Sequence, residues 1–170
     1  MERPNKSLRR VLEVSANLGI VIVALIVVGN FVASKWGTKR EIDTLTTGSK
    51  VSLSGVKWED GTTLVLALQR GCRFCEESAP FYRRLWQQRS GSEPRMIAVV
   101  PGEKAQVGKY LNELGVVVDG IVNASLADIH VSATPTLVLV DRSGRVSNVW
   151  VGKLDSNTEN DVIQRAFNPH

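Results

Sequence analysis

Continuous apolar runs alternate with stretches of helical periodicity from Thr63 to the C-terminus. Apolar runs of strand length are typical of strands buried on both faces of a sheet. The predicted strands are at 63–69, 95–100, 136–140 and 145–151, and the predicted helices at 73–88, 103–114 and from 155 or 156 to 167. A further apolar run at 116–118 and a short helical turn near 124–129 lie between the predicted helix at 103–114 and the predicted strand at 136–140. The turn Asp141-Arg142-Ser143-Gly144 predicts a hairpin between the last two strands. This order predicts an α/β sandwich with a mixed sheet.

A different apolar stretch precedes this pattern. Residues 14–34 contain no charged side chain, and at about 1.5 Å per residue they are long enough to cross a hydrocarbon core of roughly 30 Å. The stretch is therefore predicted to be a transmembrane helix. A cleaved signal peptide, with Val32-Ala33-Ser34 as its cleavage site, and a buried core helix are the alternatives. The length and the absence of a polar stripe favour the anchor.

Four segments follow from this reading of the chain. They are a short basic tail at 1–13, the transmembrane anchor at 14–34, a polar tether at 35–47 and a domain at 48–170. At 170 residues, the chain has room for one membrane segment and one domain of ordinary size.

The basic residues are concentrated beside the apolar stretch. Residues 1–40 hold seven Lys or Arg and two Glu, whereas residues 41–170 hold fourteen Lys or Arg and fifteen Asp or Glu, a net charge of −1. Charge in this position is typical of membrane flanks and argues against nucleic-acid binding. Four basic residues precede the apolar stretch and three follow it, which predicts a single-pass protein of the cytoplasmic membrane with its domain outside.

The two cysteines of the chain, Cys72 and Cys75, lie between a predicted buried strand and a predicted helix. A thiolate at a helix N-terminus is stabilised by unpaired N–H groups, so its pKa falls and it becomes a nucleophile. Arg73, between the two sulfurs, would strengthen this effect, whereas the acidic residues after the pair would oppose it. Cys72 is the predicted attacking thiol and Cys75 the predicted resolving thiol.

A metal site and a structural disulfide are the other possible roles of the two cysteines. A zinc site needs about four ligands, and beyond this pair the chain offers His130 and His170 as its histidines. A structural disulfide that closes so short a loop would restrain the unfolded chain little. A redox pair is therefore favoured, with no metal site, because a C-x-x-C motif after a buried strand in an α/β pattern is a strong signal.

The chain resembles thioredoxins, and more narrowly the membrane-tethered TlpA/ResA-like group that works outside the cytoplasmic membrane. The resemblance covers about residues 48–168. It rests on GSKVSL at 48–53, the strand followed by Cys72-Arg73-Phe74-Cys75, Pro80, and IHVSATPTLVLVD at 129–141 with Gly144. It implies a thioredoxin-like three-layer sandwich with a mixed central sheet. Pro80 should kink the helix after the cysteines, because it lacks a backbone N–H.

The resemblance also implies roles for Thr134 and Pro135. In the family, a Thr-Pro peptide bond is cis, its proline lies against the disulfide, and the backbone of the preceding residue pairs with the substrate chain. The alternative for Pro135 is a proline that opens an edge strand. The implied partners are protein thiols and disulfides in the extracytoplasmic space. The redox-active disulfide takes the place of a bound cofactor, and the implied activity is reduction, in cytochrome c maturation or in electron delivery to another extracytoplasmic protein.

Three positions depart from the family pattern. Gly71 stands where a Trp is usual, Leu66 replaces the acidic residue that thioredoxins bury, and Ser78 replaces the glutamate of many ResA-like proteins. No obvious buried base therefore remains to move the proton of Cys75. Glu77 is a candidate for this role, but an exposed helix carboxylate is the favoured interpretation.

Two rival functions remain open. A peroxiredoxin-type peroxidase would carry a Thr a few residues before its peroxidatic cysteine, and Gln69-Arg70-Gly71 offers none. A membrane-tethered binding or assembly module would keep the fold without turnover, which the missing Trp and carboxylates permit. Thiol-disulfide exchange with protein partners is the favoured prediction.

Overall fold

The structure is a computed structural model, and it describes residues 19, 21, 23–28, 45–89, 91 and 93–167. The chain divides into two compact units, Met1–Glu41 and Ile42–His170. The described residues of the first unit are helical and exposed. No helix among the described residues combines the length and the apolar character needed to cross a membrane. The predicted tail at 1–13, most of the predicted anchor at 14–34 and residues 35–44 of the predicted tether lie outside the described residues.

The second unit alternates strands and helices in the predicted order. Its strands are β1 Thr63–Ala67, β2 Arg95–Val99, β3 Gly120–Val122, β4 Thr136–Val140 and β5 Val146–Val151. Its α-helices are α1 Arg73–Glu77, α2 Ala79–Gln88, α3 Lys104–Glu113 and α4 Ser156–Phe167. Two 3₁₀ helices, Trp58–Asp60 and Leu126–Ile129, complete the elements.

The strands form one mixed sheet in the order β3-β2-β1-β4-β5. The three strands β3, β2 and β1 are parallel, and β4 runs antiparallel to both β1 and β5. The predicted mixed sheet and the predicted hairpin are both confirmed. Because β1 and β4 are antiparallel, Ala67 at the end of β1 pairs with Thr136 at the start of β4. This pairing brings the segments that follow β1 and precede β4 to the same edge of the sheet.

Alternate residues of each strand point to opposite faces of the sheet. The two faces are covered in different ways. Leu64 and Leu66 of β1 pack among buried residues of all four α-helices. Val65 and Ala67 face a second cluster, which is built from residues of the leading segment, such as Val51 and Leu53, and of the stretch that contains Leu126–Ile129. In the described residues, the second covering layer is therefore made of irregular chain and a 3₁₀ helix rather than of α-helices.

The apolar run at 116–118 follows the end of a helix and is not a strand. Gly115, with φ +63°, follows α3, and the N–H of Val116 donates to the carbonyl of Leu111 at 2.9 Å. This bond is typical of a helix that ends in a left-handed glycine with an apolar contact after it. Sheet pairing begins later, where Gly120 lies opposite Ile97.

Helix breaks and caps match the sequence pattern. The predicted helix at 73–88 is divided at Ser78 into α1 and α2, and Pro80 lies near the start of α2. The carboxylate of Asp155 accepts from the N–H of Thr158 at 2.8 Å, which identifies Asp155 as the cap of α4. In the hairpin turn, Gly144 has φ +79°, and a Cβ there would lie 2.9 Å from the ring of Trp58. Both facts require glycine at this position.

Candidate functional site

Cys72 lies at the point where the chain leaves the sheet and enters a helix. After β1, the N–H of Leu68 still donates to Val99, and a turn at Arg70 and Gly71 then redirects the chain. Gly71 has φ +71°, a left-handed conformation that favours glycine and that a tryptophan would adopt only with strain.

The first turn of α1 is built around Cys72, which caps it. The carbonyl of Cys72 accepts from the N–H groups of Cys75 at 3.0 Å and Glu76 at 3.2 Å. Its sulfur accepts from the N–H of Cys75 at 3.2 Å. The sulfur of Cys72 therefore lies beside the first N–H groups of α1, where the N–H of Cys75 and the positive end of the helix dipole stabilise negative charge on it. The predicted position of Cys72 at a helix N-terminus is confirmed.

Cys72 and Cys75 form a disulfide, with their Cα atoms 5.2 Å apart. The surroundings of the two sulfurs differ. Cys75 is fully buried among apolar residues, whereas Cys72 is half-buried and packs at the margin of the same cluster. A partner can therefore reach Cys72 while Cys75 stays covered.

Thr134, in the segment before β4, contacts Cys72 at the sheet edge that the two segments share. The sulfur of Cys72 lies 3.5 Å from the carbonyl oxygen of Thr134 and 3.5 Å from its hydroxyl, which is placed to donate to it. The Thr134–Pro135 peptide bond is cis, as the resemblance implied. Pro135 is buried, and its carbonyl accepts from the N–H of Gly152 at 2.7 Å. The fold thus brings Thr134 to the sulfur across 62 positions of sequence.

Arg73 is paired with a carboxylate. Its side chain is 85% exposed, and its Nε donates to Oε1 of Glu77 at 2.7 Å. The other oxygen of Glu77 accepts from Nζ of Lys153, also at 2.7 Å. Hydrogen bonds from Lys153 first and Arg73 second hold the pKa of Glu77 below its usual range. Glu77 is therefore a weak proton acceptor, which supports its interpretation as an ordinary helix carboxylate.

Two of the positions that depart from the family pattern are buried. Leu66 is fully buried in the first apolar cluster. Among the described residues, the side chains classed as buried and polar or charged are Thr63, Ser78 and Thr136. Ser78 lies one turn after Cys75.

A polar cleft of about 420 Å³ opens beside the turn before Cys72. It is lined by Arg70, Gly71, Glu76, Gln106, Lys109, Tyr110 and Glu113. Arg70 donates to Gln106 at 2.5 Å, and the hydroxyl of Tyr110 donates to the carbonyl of Gln69 at 3.2 Å. Burial raises the pKa of Tyr110 to about 12, so its hydroxyl stays protonated. Sequence reasoning did not find this cleft, because its walls come from separate elements.

Sequence reasoning also assigned no role to two buried hydroxyl groups in the helical stretch that carries Cys75. It named Ser78 only as a departure from the family pattern, and it did not single out Tyr82. The available signal was their spacing, because residues 75, 78 and 82 recur at intervals of three and four in a helical stretch. No three metal-ligating side chains come together within the described residues.

The sequence matches no family model, and no curated protein matches it. Solved structures are similar to it in three dimensions. One is a thiol-disulfide isomerase from Corynebacterium glutamicum, with a TM-score of 0.56 and 16% identity over 74% of this chain and 95% of that one. A protein described as thiol:disulfide interchange protein DsbE from Chlorobium tepidum has a TM-score of 0.59 and 20% identity, over 72% and 96%.

A third similar structure is the thioredoxin domain of a thiol-disulfide oxidoreductase from Bacteroides vulgatus, with a TM-score of 0.57 and 16% identity. It is matched over its whole length by 74% of this chain. At these identities, the likeness establishes the fold, which is thioredoxin-like, and the predicted fold class of the domain is confirmed.

Proposed function

We propose that this chain exchanges disulfides with partner proteins through a mixed disulfide on Cys72. The observation that carries the proposal is the unequal burial of two bonded sulfurs, of which the accessible one caps a helix and contacts Thr134. Helix N–H groups and the Thr134 hydroxyl both favour a thiolate on Cys72. The similar solved structures, which are thiol-disulfide isomerases and oxidoreductases, support the same reaction class.

The reaction has two balanced steps. The Cys72 thiolate attacks one sulfur of a partner disulfide, forms a bond to it and expels the other partner sulfur as a thiolate. Cys75 then attacks Cys72, the Cys72–Cys75 disulfide forms again, and the second partner sulfur leaves. Two electrons pass to the partner, and its sulfurs take up the protons that the dithiol gives up. We place the chain in this reducing direction on the basis of the family resemblance.

Thr134 and Pro135 form the proposed contact surface for the partner chain. Pro135 is fixed by burial and by the hydrogen bond from Gly152 to its carbonyl, so the residue before it is held beside the sulfur. A partner segment in extended conformation would pair with the backbone of Thr134 while its sulfur meets Cys72.

The proposed location is outside the cytoplasmic membrane, with the apolar stretch at 14–34 as a single-pass anchor. The uncharged stretch and the basic tail support this proposal. An oxidising compartment would supply disulfide substrates, including those of cytochrome c maturation or another electron-accepting protein. A reporter fused to the C-terminus should be active only outside the membrane, and activity of a reporter that works only in the cytoplasm would overturn the location.

Covalent trapping tests the proposed function. In Cys75→Ser, the nucleophile remains and the resolving thiol is lost, so partner proteins should accumulate as adducts that reductant releases. In Cys72→Ser, few adducts should form, and Pro135→Ala in the Cys75→Ser background should reduce their amount. A tethered binding module would instead associate equally in all variants, and equal association that reductant does not reverse would overturn the proposal.

A further inference from the structure

Two buried hydroxyl groups lie in the helical stretch that carries Cys75. The side-chain oxygens of Ser78 and Tyr82 are both shielded from solvent, and neither has a close hydrogen-bond partner among the other described residues. The residues are 7% and 0% exposed. The Ser78 hydroxyl acts on the pKa of Tyr82 as a hydrogen-bond partner, against the larger effect of burial, so the two hydroxyls interact with each other. A buried hydroxyl that lacks a full partner costs about 1–3 kcal/mol, so this pair calls for a physical reason.

The backbone places these hydroxyls on the face of the helix that carries Cys75. Ser78 has a helical conformation, with φ −88° and ψ −7°, although it separates α1 from α2. Its N–H donates to Phe74, and its carbonyl accepts from Tyr82, so the i to i−4 pattern continues across the break. Cys75, Ser78 and Tyr82 therefore share one face at spacings of three and four residues. Cys75 and Tyr82 belong to the same apolar cluster.

The buried sulfur needs a hydrogen-bond donor during exchange. To attack Cys72, Cys75 must carry negative charge, and an apolar environment disfavours a thiolate unless a donor contacts it. Thr63 donates to the carbonyl of Gly61, and Thr136 donates to the carbonyl of Ala133. Among Thr63, Ser78 and Thr136, Ser78 is thus the one whose hydroxyl does not donate to a backbone carbonyl.

We propose that Ser78 donates a hydrogen bond to the Cys75 thiolate as it forms, and that Tyr82 positions Ser78 by donating to its oxygen. This inference rests on the proposed function and adds to it a group that serves the resolving step. Both hydroxyls keep their protons, and the proton of Cys75 leaves with the sulfur that the partner takes away. Burial raises the pKa of Tyr82, so its hydroxyl remains a donor through the neutral range. Two linked hydrogen bonds of this kind strengthen each other in a low-dielectric interior.

The two steps can be timed separately in the full chain. The reduced chain is mixed with a symmetrical aromatic disulfide that releases a coloured thiolate, once when Cys72 attacks and again when Cys75 resolves the adduct. Ser78→Ala should slow the second release about ten-fold, as expected for the loss of one hydrogen bond to a charged group, and leave the first release unchanged. Tyr82→Phe should slow the second release by a smaller factor, and Ser78→Thr, which keeps the hydroxyl, should restore it.

Thr63→Val is the matched control, because it removes another buried hydroxyl, which donates to the carbonyl of Gly61 at the opposite end of β1 from Cys72, and should not affect either release. If Ser78→Ala does not fold, as shown by loss of the first release, Tyr82→Phe carries the test alone. An unchanged second release in Tyr82→Phe, or in a folded Ser78→Ala, would overturn the inference. Failure of the unaltered chain to give a first release would overturn the proposed function instead, so the two failures are distinguishable.

Discussion

The surroundings of Cys72 and Cys75 differ more than their short separation would suggest. Cys72 is half-buried, caps α1 and contacts Thr134, which lies in the segment before β4. Cys75 is fully buried, and its neighbours are apolar side chains of the sheet and helices. The groups around Cys72 therefore favour negative charge on its sulfur and leave it accessible to a partner. The groups around Cys75 exclude water. Burial, rather than spacing, is what separates the proposed attacking thiol from the proposed resolving thiol.

The largest expected difference between the two sulfurs is their reactivity with a small alkylating agent. In the reduced chain, Cys72 should be modified on the order of a hundred-fold faster than Cys75, because Cys75 reacts only after local opening. Mass spectrometry of the full chain after short exposure measures both rates. Similar modification rates for Cys72 and Cys75, at a temperature at which the chain is folded, would show that their surroundings do not differ in solution.

Packing beneath Cys75 should matter for stability more than packing beside Cys72. Leu66→Ala removes a fully buried side chain from the cluster that contains Cys75 and should lower the free energy of unfolding by about 2–5 kcal/mol. Phe74→Ala removes a side chain that is 53% exposed and should change it by about 0.5 kcal/mol or less. Chemical denaturation measures both values.

Phe74→Ala should also weaken trapping of partner proteins, because it removes exposed apolar surface beside Cys72.

The hydrogen bond from the Thr134 hydroxyl should affect the pKa of the Cys72 thiol. Thr134→Val removes the hydroxyl 3.5 Å from Cys72 and keeps the side-chain shape, so the pKa of the Cys72 thiol should rise by up to about one unit. Absorbance of the thiolate as a function of pH measures this change in the Cys75→Ser background. Thr134→Ser keeps the hydroxyl and serves as the control. A lowered pKa in Thr134→Val would contradict the proposed donor role.

Arg73 should have the smallest effect. The sequence predicts that it stabilises the Cys72 thiolate, whereas the structure pairs its exposed guanidinium with Glu77. Because exposed charges are screened by solvent, we expect Arg73→Glu to raise the pKa of the Cys72 thiol by less than about half a unit. The same titration as for Thr134→Val measures it. A rise larger than that of Thr134→Val would restore Arg73 as the main tuning residue.

Much of the fold could be predicted from the sequence, because buried strands and amphipathic helices leave strong apolar patterns. The strand at Thr136–Val140 has the predicted bounds, and Pro80 predicted the break between α1 and α2. Strand β3 was missed because it is three residues long and only partly buried, so its pattern carries little signal. The apolar residues before it pack against a helix end, and a run of apolar residues does not distinguish these cases.

The candidate site was predictable where its residues are adjacent in sequence. The cysteine pair and its helix N-terminus are local features, and the family resemblance supplied Thr134 and Pro135. The pairing of Glu77 with both Arg73 and Lys153 joins two distant segments, and no local pattern contains it. The buried hydroxyl of Tyr82 was missed for a related reason, since burial of a polar atom depends on the packing of the whole domain.

The closeness of the two cysteines in sequence has a thermodynamic consequence. The disulfide joins positions separated by three, and so short a closed loop restrains the unfolded chain little. In the unfolded state, the pair therefore behaves as a simple dithiol, and any stability difference between the oxidised and reduced chains arises in the folded state. By a thermodynamic cycle, that difference equals the change in the free energy of disulfide reduction that folding imposes. A chain that is more stable when oxidised is a stronger reductant than its unfolded dithiol, and one that is more stable when reduced is a stronger oxidant. Two denaturation curves, one for each redox state, thus give the reducing power of the folded pair relative to a simple dithiol.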